Sequence, residues 1–366
     1  MMTNNGPLDA ERDPLSIGVF MPNCSYSCSI STYKPVPDDW TFESNVAIAQ
    51  AAEQVGFDFL FPVAKWRGYG GPTNYLGTSL ETMTWAAGLL AQTERIHVFS
   101  TVHVPIFHPF VVAKMGGTLD HIGQGRWGLN VVSGWSEREF GQMHVPVLPH
   151  GERYRRTADY IEVLKGLWTA EPGTFNHHSE WYDVTDGWVS PLPVRKPHPP
   201  IANAGVSADA KEVVARLCDW AFISLPSIDA ATDQTTDIRS RAAKHGRSIR
   251  CATYPFAVWR ETEREAEQER RRLLDEMDRE AAENWARGLF GNSGSFDRFT
   301  LEMFALGGGG LPLFGTAEQV AEKIAELYRS GIDGVLLTFL EYHADVVRFG
   351  KEILPLLRQM GVRRPQ

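Results

Sequence analysis

The chain's 366 residues, 43% of them hydrophobic, can bury one large core, and no Pro/Ser-rich linker divides them, so we expect a single domain over 1–366 with a flexible segment at 1–14. The formal net charge of −9 gives no basic surface for nucleic acid or an anionic membrane, and neither is an expected partner. The N-terminal segment lacks the basic start and apolar core of a signal peptide, and no apolar run approaches the roughly 18 residues of a membrane span, so a cytoplasmic protein is expected.

Strand and helix patterns alternate along the first part of the chain. Short runs rich in β-branched and aromatic residues predict strands at 16–21, 57–61, 95–102 and 125–132. Helical spacing predicts helices at 42–55, 79–93 and 109–122, with Ser79 capping the second and Pro109 opening the third. The polar and aromatic stretch after the fourth strand is typical of the excursions in which α/β proteins place binding and catalytic groups.

The second part repeats the alternation and closes a barrel. Strands are predicted at 201–204, 220–224, 250–259 and 334–339, and a hairpin outside the main frame at 175–193. Helices are predicted at 152–168, 207–217, 229–245, 262–289, 316–330 and 344–360. Eight strands, each followed by a helix, predict parallel pairing and a (β/α)8 TIM barrel with insertions. A doubly wound sheet is the alternative, but no GxGxxG follows the first strand.

Two segments have an unusual composition. Residues 290–314 carry clustered Gly and Ser, and the run Gly307–Gly310 can act as a hinge, so we predict a lid insertion; a packed surface insertion is the alternative. The run Arg270–Arg272 lies among glutamates and is predicted to be a solvated, charge-paired face.

The cysteines and histidines do not form a metal-binding pattern, and we expect no metal. The cysteines lack zinc-site spacing and are predicted to be small buried or pocket-lining thiols; they are Cys24, Cys28, Cys218 and Cys251. No HExxH motif occurs, and adjacent His177 and His178 would point apart on a regular strand or helix.

In a barrel the functional groups lie at the carboxyl ends of the strands. Here these ends carry amides, hydroxyls and aromatic rings, at 22–23, 61–65, 101–103, 130–135, 205–207 and 338–339. Few carboxylates lie among them, which disfavours glycoside hydrolysis and suits a planar heteroaromatic cofactor or substrate. Ser207 opens a helix directly after Gly205, so the helix N–H groups could bind a phosphate, and Arg153 could donate a charge-assisted hydrogen bond to it. The alternatives are that Ser207 is only a helix cap and that Arg153 is only a surface charge.

Several long segments carry a family resemblance. They are ISTYKP with FESN, FDFLFPVAKWRGYGG, GRWGLNVVSGWSEREFGQM, ERYRRTADYIEVLKGLW and GVLLTF, within a match that runs from Ile17 to about Leu357. The chain resembles the bacterial-luciferase-like flavin-dependent monooxygenases, and among them the pyrimidine monooxygenases and the dimethyl sulfone monooxygenases. The resemblance implies reduced FMN and O2 as cofactors, a separate NAD(P)H:flavin reductase and a homodimer or homotetramer. It also implies transfer of oxygen through a flavin peroxide, at N5 in the pyrimidine enzymes, to a small heterocyclic, amide-like substrate.

The resemblance also implies site residues. It predicts FMN contacts at Ala64, Lys65, Asn130, Glu139, Arg153, Tyr154 and Ser207. It predicts an oxygen pocket lined by Thr101, Asn130, Trp135 and Phe61. For Thr101 and Trp135 a packing role without chemistry is the alternative.

Departures from the family pattern bear on the substrate. Phe61 replaces a smaller aliphatic residue of the pyrimidine enzymes, and His103 with Val104 replaces small residues at the end of the third strand. These residues could exclude uracil and select a substrate with another ring. His103 could then act as a hydrogen-bond donor to the substrate or as an acid/base. The loop 72–78 also differs. Three alternatives stay open. They are a monooxygenase of sulfones or sulfonates, a deazaflavin-dependent dehydrogenase on the same barrel, and a flavin-binding protein without turnover.

Overall fold

The structure, a computed structural model, describes residues 15–364 except residues 28, 37–38, 206 and 294–299, with the backbone alone at 290–293. The predicted flexibility of residues 1–14 and the environment of Cys28 lie outside this part of the chain. The described Cys24, Cys218 and Cys251 are free, buried thiols, as predicted.

The elements follow the predicted alternation of strands and helices. The strands are β1 (Ser16–Phe20), β2 (Phe59–Phe61), β3 (His97–His103), β4 (Trp127–Val132), β5 (Phe175–His178), β6 (Asp183–Gly187), β7 (Ile201–Asn203), β8 (Trp220–Phe222), β9 (Arg250–Thr253), β10 (Phe256–Trp259), β11 (Pro312–Gly315) and β12 (Gly334–Phe339). The helices are α1 (Phe42–Val55), α2 (Thr82–Gln92), α3 (Pro109–Ile122), α4 (Glu137–Gly141), α5 (His150–Thr169), α6 (Ala208–Leu217), α7 (Ala230–Lys244), α8 (Glu263–Asp275), α9 (Arg279–Ser293), α10 (Leu301–Ala305), α11 (Ala317–Arg329), α12 (Tyr342–Glu352) and α13 (Leu354–Gln359).

Parallel pairing closes the strands into a ring, and the predicted (β/α)8 barrel is confirmed. The order is β1-β2-β3-β4-β7-β8-β9-β12, and β12 pairs back onto β1, with Ser16 opposite Gly334. The antiparallel pair β5–β6 forms the predicted hairpin outside the ring. Strands β10 and β11 extend the sheet beside the end of β12. Among the described residues, no helix is both long and apolar enough to cross a membrane.

Local sequence signals set several helix ends. Thr41 caps α1 by accepting a hydrogen bond from Ser44 N at 3.3 Å, and Gly56 ends this helix with a φ of 92°, a conformation that glycine adopts at little cost. Pro109 opens α3, where a missing N–H costs no helical hydrogen bond. Thr316 and Gln319 form a capping box at α11.

Aromatic rings fill the barrel interior. The ring of Phe61 lies between those of Phe99 and Phe222, with centroid separations of 4.9 and 5.3 Å. Trp220 and Phe59 close the layer toward the amino ends of the strands, with ring centroids 6.1 Å apart. This packing leaves function to the two ends of the barrel.

The amino end of the barrel repeats one polar arrangement. In each case an aspartate just before one strand accepts the backbone N–H of the neighbouring strand. The pairs are Asp58 with Ile17 N (2.6 Å), Asp219 with Ile201 N (2.8 Å) and Asp333 with Cys251 N (2.7 Å). An arginine pairs with each carboxylate; these are Arg363 with Asp58 (2.5 Å), Arg247 with Asp219 (3.3 Å) and Arg239 with Asp333 (2.8 Å).

The predicted single helix over 262–289 is wrong. The chain leaves the helical path between α8 and α9, where Met277 bridges to Ser31 and Asp278 N donates to Ile30 O at 3.0 Å. Asp278 then opens α9, because its Oδ1 accepts the N–H of Ala281 at 3.1 Å. The apolar residues spaced by four therefore belong to two helices.

Other predicted elements needed smaller corrections. The predicted helix at 344–360 is divided at Ile353, just before Pro355, which cannot donate a helical hydrogen bond. Ser79 does not cap α2: Glu81 accepts the N–H of Met83 and Thr84, while the Ser79 hydroxyl donates to Lys65 O at 3.0 Å.

The predicted strand at 250–259 is two strands. β9 pairs with β8 and the start of β12, whereas β10 pairs with the end of β12 and with β11. The chain turns between them at Tyr254 and Pro255. Tyr254 therefore lies at the carboxyl end of β9.

The described part of the predicted lid packs on the barrel. Phe304 and Leu306 are buried, and Ala305 O accepts the N–H of Ile30 at 2.8 Å. Gly307, Gly308 and Gly309 have φ values of 96°, 62° and 93°, which side chains rarely adopt. Residues 294–299 lie outside the described part, and a lid function for 290–314 stays a prediction.

Candidate active site

Two clefts formed by the described residues open at the carboxyl ends of the strands. The larger spans about 1010 Å³, part of it open to solvent, and has mostly apolar walls. Its lining includes Trp135, Arg153 and Tyr154 of the predicted site residues. The smaller spans about 600 Å³, also partly open to solvent, and is lined by Ala64, Lys65 and Thr101, among others.

Lys65 lies in a buried aromatic cage. Its side chain is 6% exposed, and Nζ lies 2.5 Å from Glu139 Oε1 and 2.5 Å from the Tyr69 hydroxyl. The ring centroids of Tyr69, Trp285 and Trp135 lie 4.7, 5.1 and 5.2 Å from Nζ, within cation–π range. Because Trp135 and Trp285 line the larger cleft while Lys65 lines the smaller, this cage joins the two.

Glu139 is the counter-charge of Lys65. It lies in α4, which is capped by Ser136, whose hydroxyl accepts the N–H of Glu139 at 3.3 Å. Burial acts to raise the pKa of Glu139, but the charge of Lys65 and hydrogen bonds from Lys65 and Trp66 N outweigh it, so the pKa lies below its usual value. The group is a carboxylate at neutral pH.

His103 holds a tryptophan at this ion pair. Burial lowers the pKa of His103 to about 4, so the imidazole is neutral near pH 7. Its Nδ1 accepts a hydrogen bond from Trp66 Nε1 at 3.1 Å, which leaves the proton on Nε2. The backbone N–H of Trp66 in turn donates to Glu139 Oε2 at 3.1 Å. His103 lines neither of the two clefts.

Thr101 and Asn130 face each other across β3 and β4. Their Cα atoms are in register, and Asn130 Nδ2 donates to Thr101 Oγ1 at 3.3 Å, while Thr101 Oγ1 donates to Pro62 O at 2.8 Å. Asn130 is 5% exposed, and its Oδ1 accepts no hydrogen bond from any residue in the described part of the chain. A buried amide oxygen without a donor is uncommon in proteins and marks a position where a ligand could donate.

Arg153 and Tyr154 form a polar wall of the larger cleft. Both lie in the first turn and a half of α5, and Arg153 Nη1 donates to Gly134 O at 3.0 Å. Burial raises the pKa of Tyr154, whose hydroxyl hydrogen-bonds to Ser133. Gly134 has a φ of 80°, and a Cβ there would lie 2.7 Å from the ring of Phe140. This turn therefore requires glycine.

The turn into α6 completes that wall. Ser207 caps the helix by accepting Ala210 N at 3.2 Å, so its hydroxyl has a structural role. Gly205 lines the cleft, and a Cβ there would lie 2.5 Å from Ala210 Cβ and 3.1 Å from the Tyr154 ring. The glycine is needed for the close approach of strand end, helix and Tyr154.

The structure therefore groups the predicted residues unequally. Phe61 lies in the aromatic barrel interior below the clefts. Like Asn130 and Glu139, it lines neither cleft. Ser207 lies beside the larger cleft but does not line it. The catalytic and cofactor roles of all these residues stay predictions.

Comparison with known proteins identifies the family. The sequence model of the family described as luciferase-like monooxygenase matches residues 17–334. The chain belongs to this family. It is 31% identical, over 96% of its length and 97% of the relative, to an FMNH2-dependent dimethylsulfone monooxygenase of Pseudomonas putida. It is 32% identical, over 93% of its length and 96% of the relative, to the pyrimidine monooxygenase RutA of Allorhizobium ampelinum.

A solved structure supports the fold of this luciferase-like monooxygenase. A riboflavin lyase, RcaE, superposes with a TM-score of 0.85 at 23% identity, over 96% of this chain and 92% of the other. As a member of the family, the chain is an oxidoreductase of the monooxygenase class. The expected family membership is confirmed.

Four residues of the larger cleft and of the aromatic cage around Lys65 were not predicted from the sequence. Tyr69 and Trp285 form the Lys65 cage, and Ser224 and Tyr254 line the larger cleft. Ser224 ends a predicted strand and could have been included on that ground. Tyr254 was hidden because the β pattern runs on to Trp259, and Trp285 because it was assigned to the packed face of one long helix.

Proposed function

We propose that the protein is an FMNH2-dependent, two-component monooxygenase. It transfers one oxygen atom of O2 to a small, uncharged heterocyclic substrate of the amide-like, pyrimidine-like kind. The observation that carries this proposal is the larger cleft, which joins a polar turn suited to a phosphate with aromatic walls suited to a flavin. Relatives at 31% and 32% identity over nearly the whole chain have names of this reaction type.

The polar wall fits the phosphate of FMN. Arg153 offers a buried guanidinium, and Gly205 lies two residues before Ser207, the cap of α6, so helix N–H groups face the same region. Burial lowers the pKa of Arg153, yet a guanidinium keeps its charge at neutral pH. An anion there would gain a charge-assisted hydrogen bond and the helix dipole.

Polar groups beside the larger cleft fit the flavin ring. Asn130 does not line the cleft, but it lies on the same face of β4 as Val132, which does. Its Oδ1 is a buried acceptor, and Thr101 Oγ1 fixes the amide that carries it. Bound reduced FMN supplies the electrons that activate O2. Around it, Trp135, Trp285 and Phe222 exclude water from the cleft, which limits wasteful release of hydrogen peroxide.

His103 has a positioning role in this proposal. With a pKa of about 4 and its Nδ1 engaged by Trp66, it takes up no proton near neutral pH. It orients Trp66, whose N–H and neighbouring Lys65 hold Glu139. This replaces the acid/base role considered from the sequence.

The proposal includes a separate NAD(P)H:flavin reductase that delivers FMNH2, and a homodimer or homotetramer. Relatives named for FMNH2 support the first part, since reduced flavin must be supplied to such an enzyme. Dimethyl sulfone is the second candidate substrate, because the Pseudomonas putida relative is 31% identical over 97% of its own length.

Oxygen uptake with a substrate panel tests the function. Photoreduced FMN, catalase and the enzyme are mixed with uracil, thymine, 2-pyridone or dimethyl sulfone, and products are measured by mass spectrometry with ¹⁸O2. We expect one ¹⁸O atom in the product of a heterocyclic amide. Label in dimethyl sulfone products alone would favour the second candidate. Absence of both FMN binding and label would contradict the proposal.

A further inference from the structure

The side of the larger cleft formed by β1, β8 and β9 is an aromatic chamber. Its walls are Phe20, Met21, Phe222, Tyr254, Trp285 and Leu289. None of the described residues that line this side carries a charge, whereas Arg153 lies on the β4 and β7 side. Burying an ion without a partner is unfavourable, so this chamber suits an uncharged ligand.

Its walls are rigid. Tyr254 stacks on Phe222 with centroids 5.1 Å apart and meets the edge of Phe20 at 5.2 Å. Trp285 Nε1 donates to Gly308 O at 3.0 Å, which holds the indole against the residues after α10. Rings locked in this way select a planar guest by stacking.

One hydroxyl pair gives the chamber its polarity. Ser224 Oγ and the Tyr254 hydroxyl lie 3.0 Å apart, and Tyr254 is 7% exposed. Two hydroxyls carry two protons, and the bond between them uses one. Neither has another partner in the part of the chain that the structure describes, so the second proton can be donated to a ligand. Burial raises the pKa of Tyr254 to about 12, so the phenol keeps its proton.

We propose that this chamber binds an uncharged planar ring through one carbonyl, which accepts a hydrogen bond from the Ser224–Tyr254 pair. The inference rests on the proposed function, with FMN on the β4 and β7 side of the larger cleft and the substrate on the β1, β8 and β9 side. To the neutral, amide-like ring of that proposal it adds the hydroxyl pair that would hold the ring carbonyl. It excludes sulfonates and carboxylates, for which the described wall offers no counter-charge.

A comparison of two ligands of equal shape tests the hydrogen bond. N-methyl-2-pyridone carries the carbonyl, and ortho-xylene replaces it with a methyl group; benzenesulfonate is the anionic probe. Binding to the FMN-loaded protein is measured by calorimetry for the wild type, Tyr254→Phe and Ser224→Ala. Tyr160→Phe is the matched control, because Tyr160 is a buried tyrosine of α5 outside the cleft.

Tyr254→Phe should weaken N-methyl-2-pyridone binding about 3- to 12-fold, the value of one hydrogen bond, and leave ortho-xylene unchanged. Ser224→Ala should have a smaller effect in the same direction, and Tyr160→Phe none. The proposal would be overturned if Tyr254→Phe weakened the binding of both neutral ligands equally, or of neither. It would also be overturned if the wild type did not bind N-methyl-2-pyridone, or bound benzenesulfonate at least as tightly as the pyridone. Melting curves identify a variant that fails to fold. If Tyr254→Phe does not fold, the comparison of the ligands is made on Ser224→Ala instead.

FMN titration of the same wild-type sample separates this inference from the function. A protein that binds FMN but does not discriminate among the three ligands contradicts the chamber proposal alone. A protein that binds no FMN contradicts the proposed function, and the ligand comparison is then made on the chain without FMN.

Discussion

The two ends of the barrel use polar residues in opposite ways. At the amino end, three aspartates accept backbone N–H groups of neighbouring strands and each carries an arginine. At the carboxyl end, Asn130 Oδ1 has no donor among the described residues, and the Ser224–Tyr254 pair keeps a proton to donate. Groups satisfied within the protein stabilise it, whereas groups left over are available to ligands.

Both ends also contain a cleft, and the comparison holds there too. The cleft at the amino end spans about 1360 Å³, part of it open to solvent, and includes Arg239, Asp219 and Asp333 in its lining. These charged groups already pair with one another or with backbone N–H groups. We expect substitutions there to change stability and substitutions at the carboxyl end to change binding and turnover.

The largest expected effect is on stability, at the amino end. Arg363→Met leaves Asp58, whose side chain is 6% exposed, without its counter-charge, and should lower the free energy of unfolding by about 3–5 kcal/mol. The matched control is Arg216→Met, which breaks an exposed pair with Glu162 and should cost about 1 kcal/mol or less. Urea titration measures both. Loss of turnover in the fraction of Arg363→Met that stays folded would contradict the division of roles.

The next effect is a pH dependence from His103. Its folded pKa of about 4 lies below the usual 6.5, so its stabilising contribution is complete above pH 6.5 and is lost as the pH falls toward 4. The loss is about 3 kcal/mol, because the pKa of His103 falls from 6.5 in the unfolded chain to about 4 in the folded protein. His103→Gln keeps an acceptor for Trp66 N–H and should remove this part of the slope. The free energies of unfolding of the wild type and of His103→Gln, measured from pH 4 to 7, test this prediction. If the two curves against pH ran parallel, a buried neutral His103 would be excluded.

Asn130→Ala should affect turnover more than stability. We expect coupled product formation to fall roughly 100-fold, the usual effect of removing one preorganised polar group, while the unfolding free energy changes by about 1 kcal/mol or less. Asn45→Ala is the matched control, because Asn45 is equally buried but its amide is fully engaged, with Trp85 Nε1 donating to Oδ1 at 2.8 Å. It should lose stability and keep coupling. The reverse pattern would contradict the assignment of Asn130.

The smallest expected effect is at the cap of α6. Ser207→Ala should cost about 1 kcal/mol of stability through the lost cap. Ser207→Asp keeps the cap but adds a negative charge where we propose the phosphate, so FMN affinity should fall several-fold. Thr316→Asp makes the same change at the cap of α11, outside both clefts, and should leave FMN affinity unchanged. If Ser207→Asp and the wild type bound FMN with equal affinity, the proposal that the phosphate binds at this turn would be wrong.

The sequence predicted the barrel because its signals are local. Alternating apolar runs and caps such as Ser207 and Thr316 occur where the structure has strands and helix starts. Elements set by distant contacts were missed. The break before α9 depends on pairing with residues 30–32, and the end of β9 at Tyr254 depends on how two neighbouring strands divide β12.

The candidate site was predictable in its position but not in its bonding. Strand ends pointed to Lys65, Thr101 and Asn130, yet no sequence pattern indicates that Lys65 meets the rings of Tyr69 and Trp285 or that His103 accepts from Trp66. Such contacts join segments up to about 220 residues apart, and spacing along the chain carries no information on them.

A crystal structure of the protein soaked with FMN tests the central claim most directly. The account predicts one flavin per chain in the cleft at the carboxyl ends of the strands, with its phosphate at Arg153 and the turn at Gly205, and its ring within reach of Asn130. FMN bound instead in the cleft at the amino end, near Arg239 and Asp333, would contradict it.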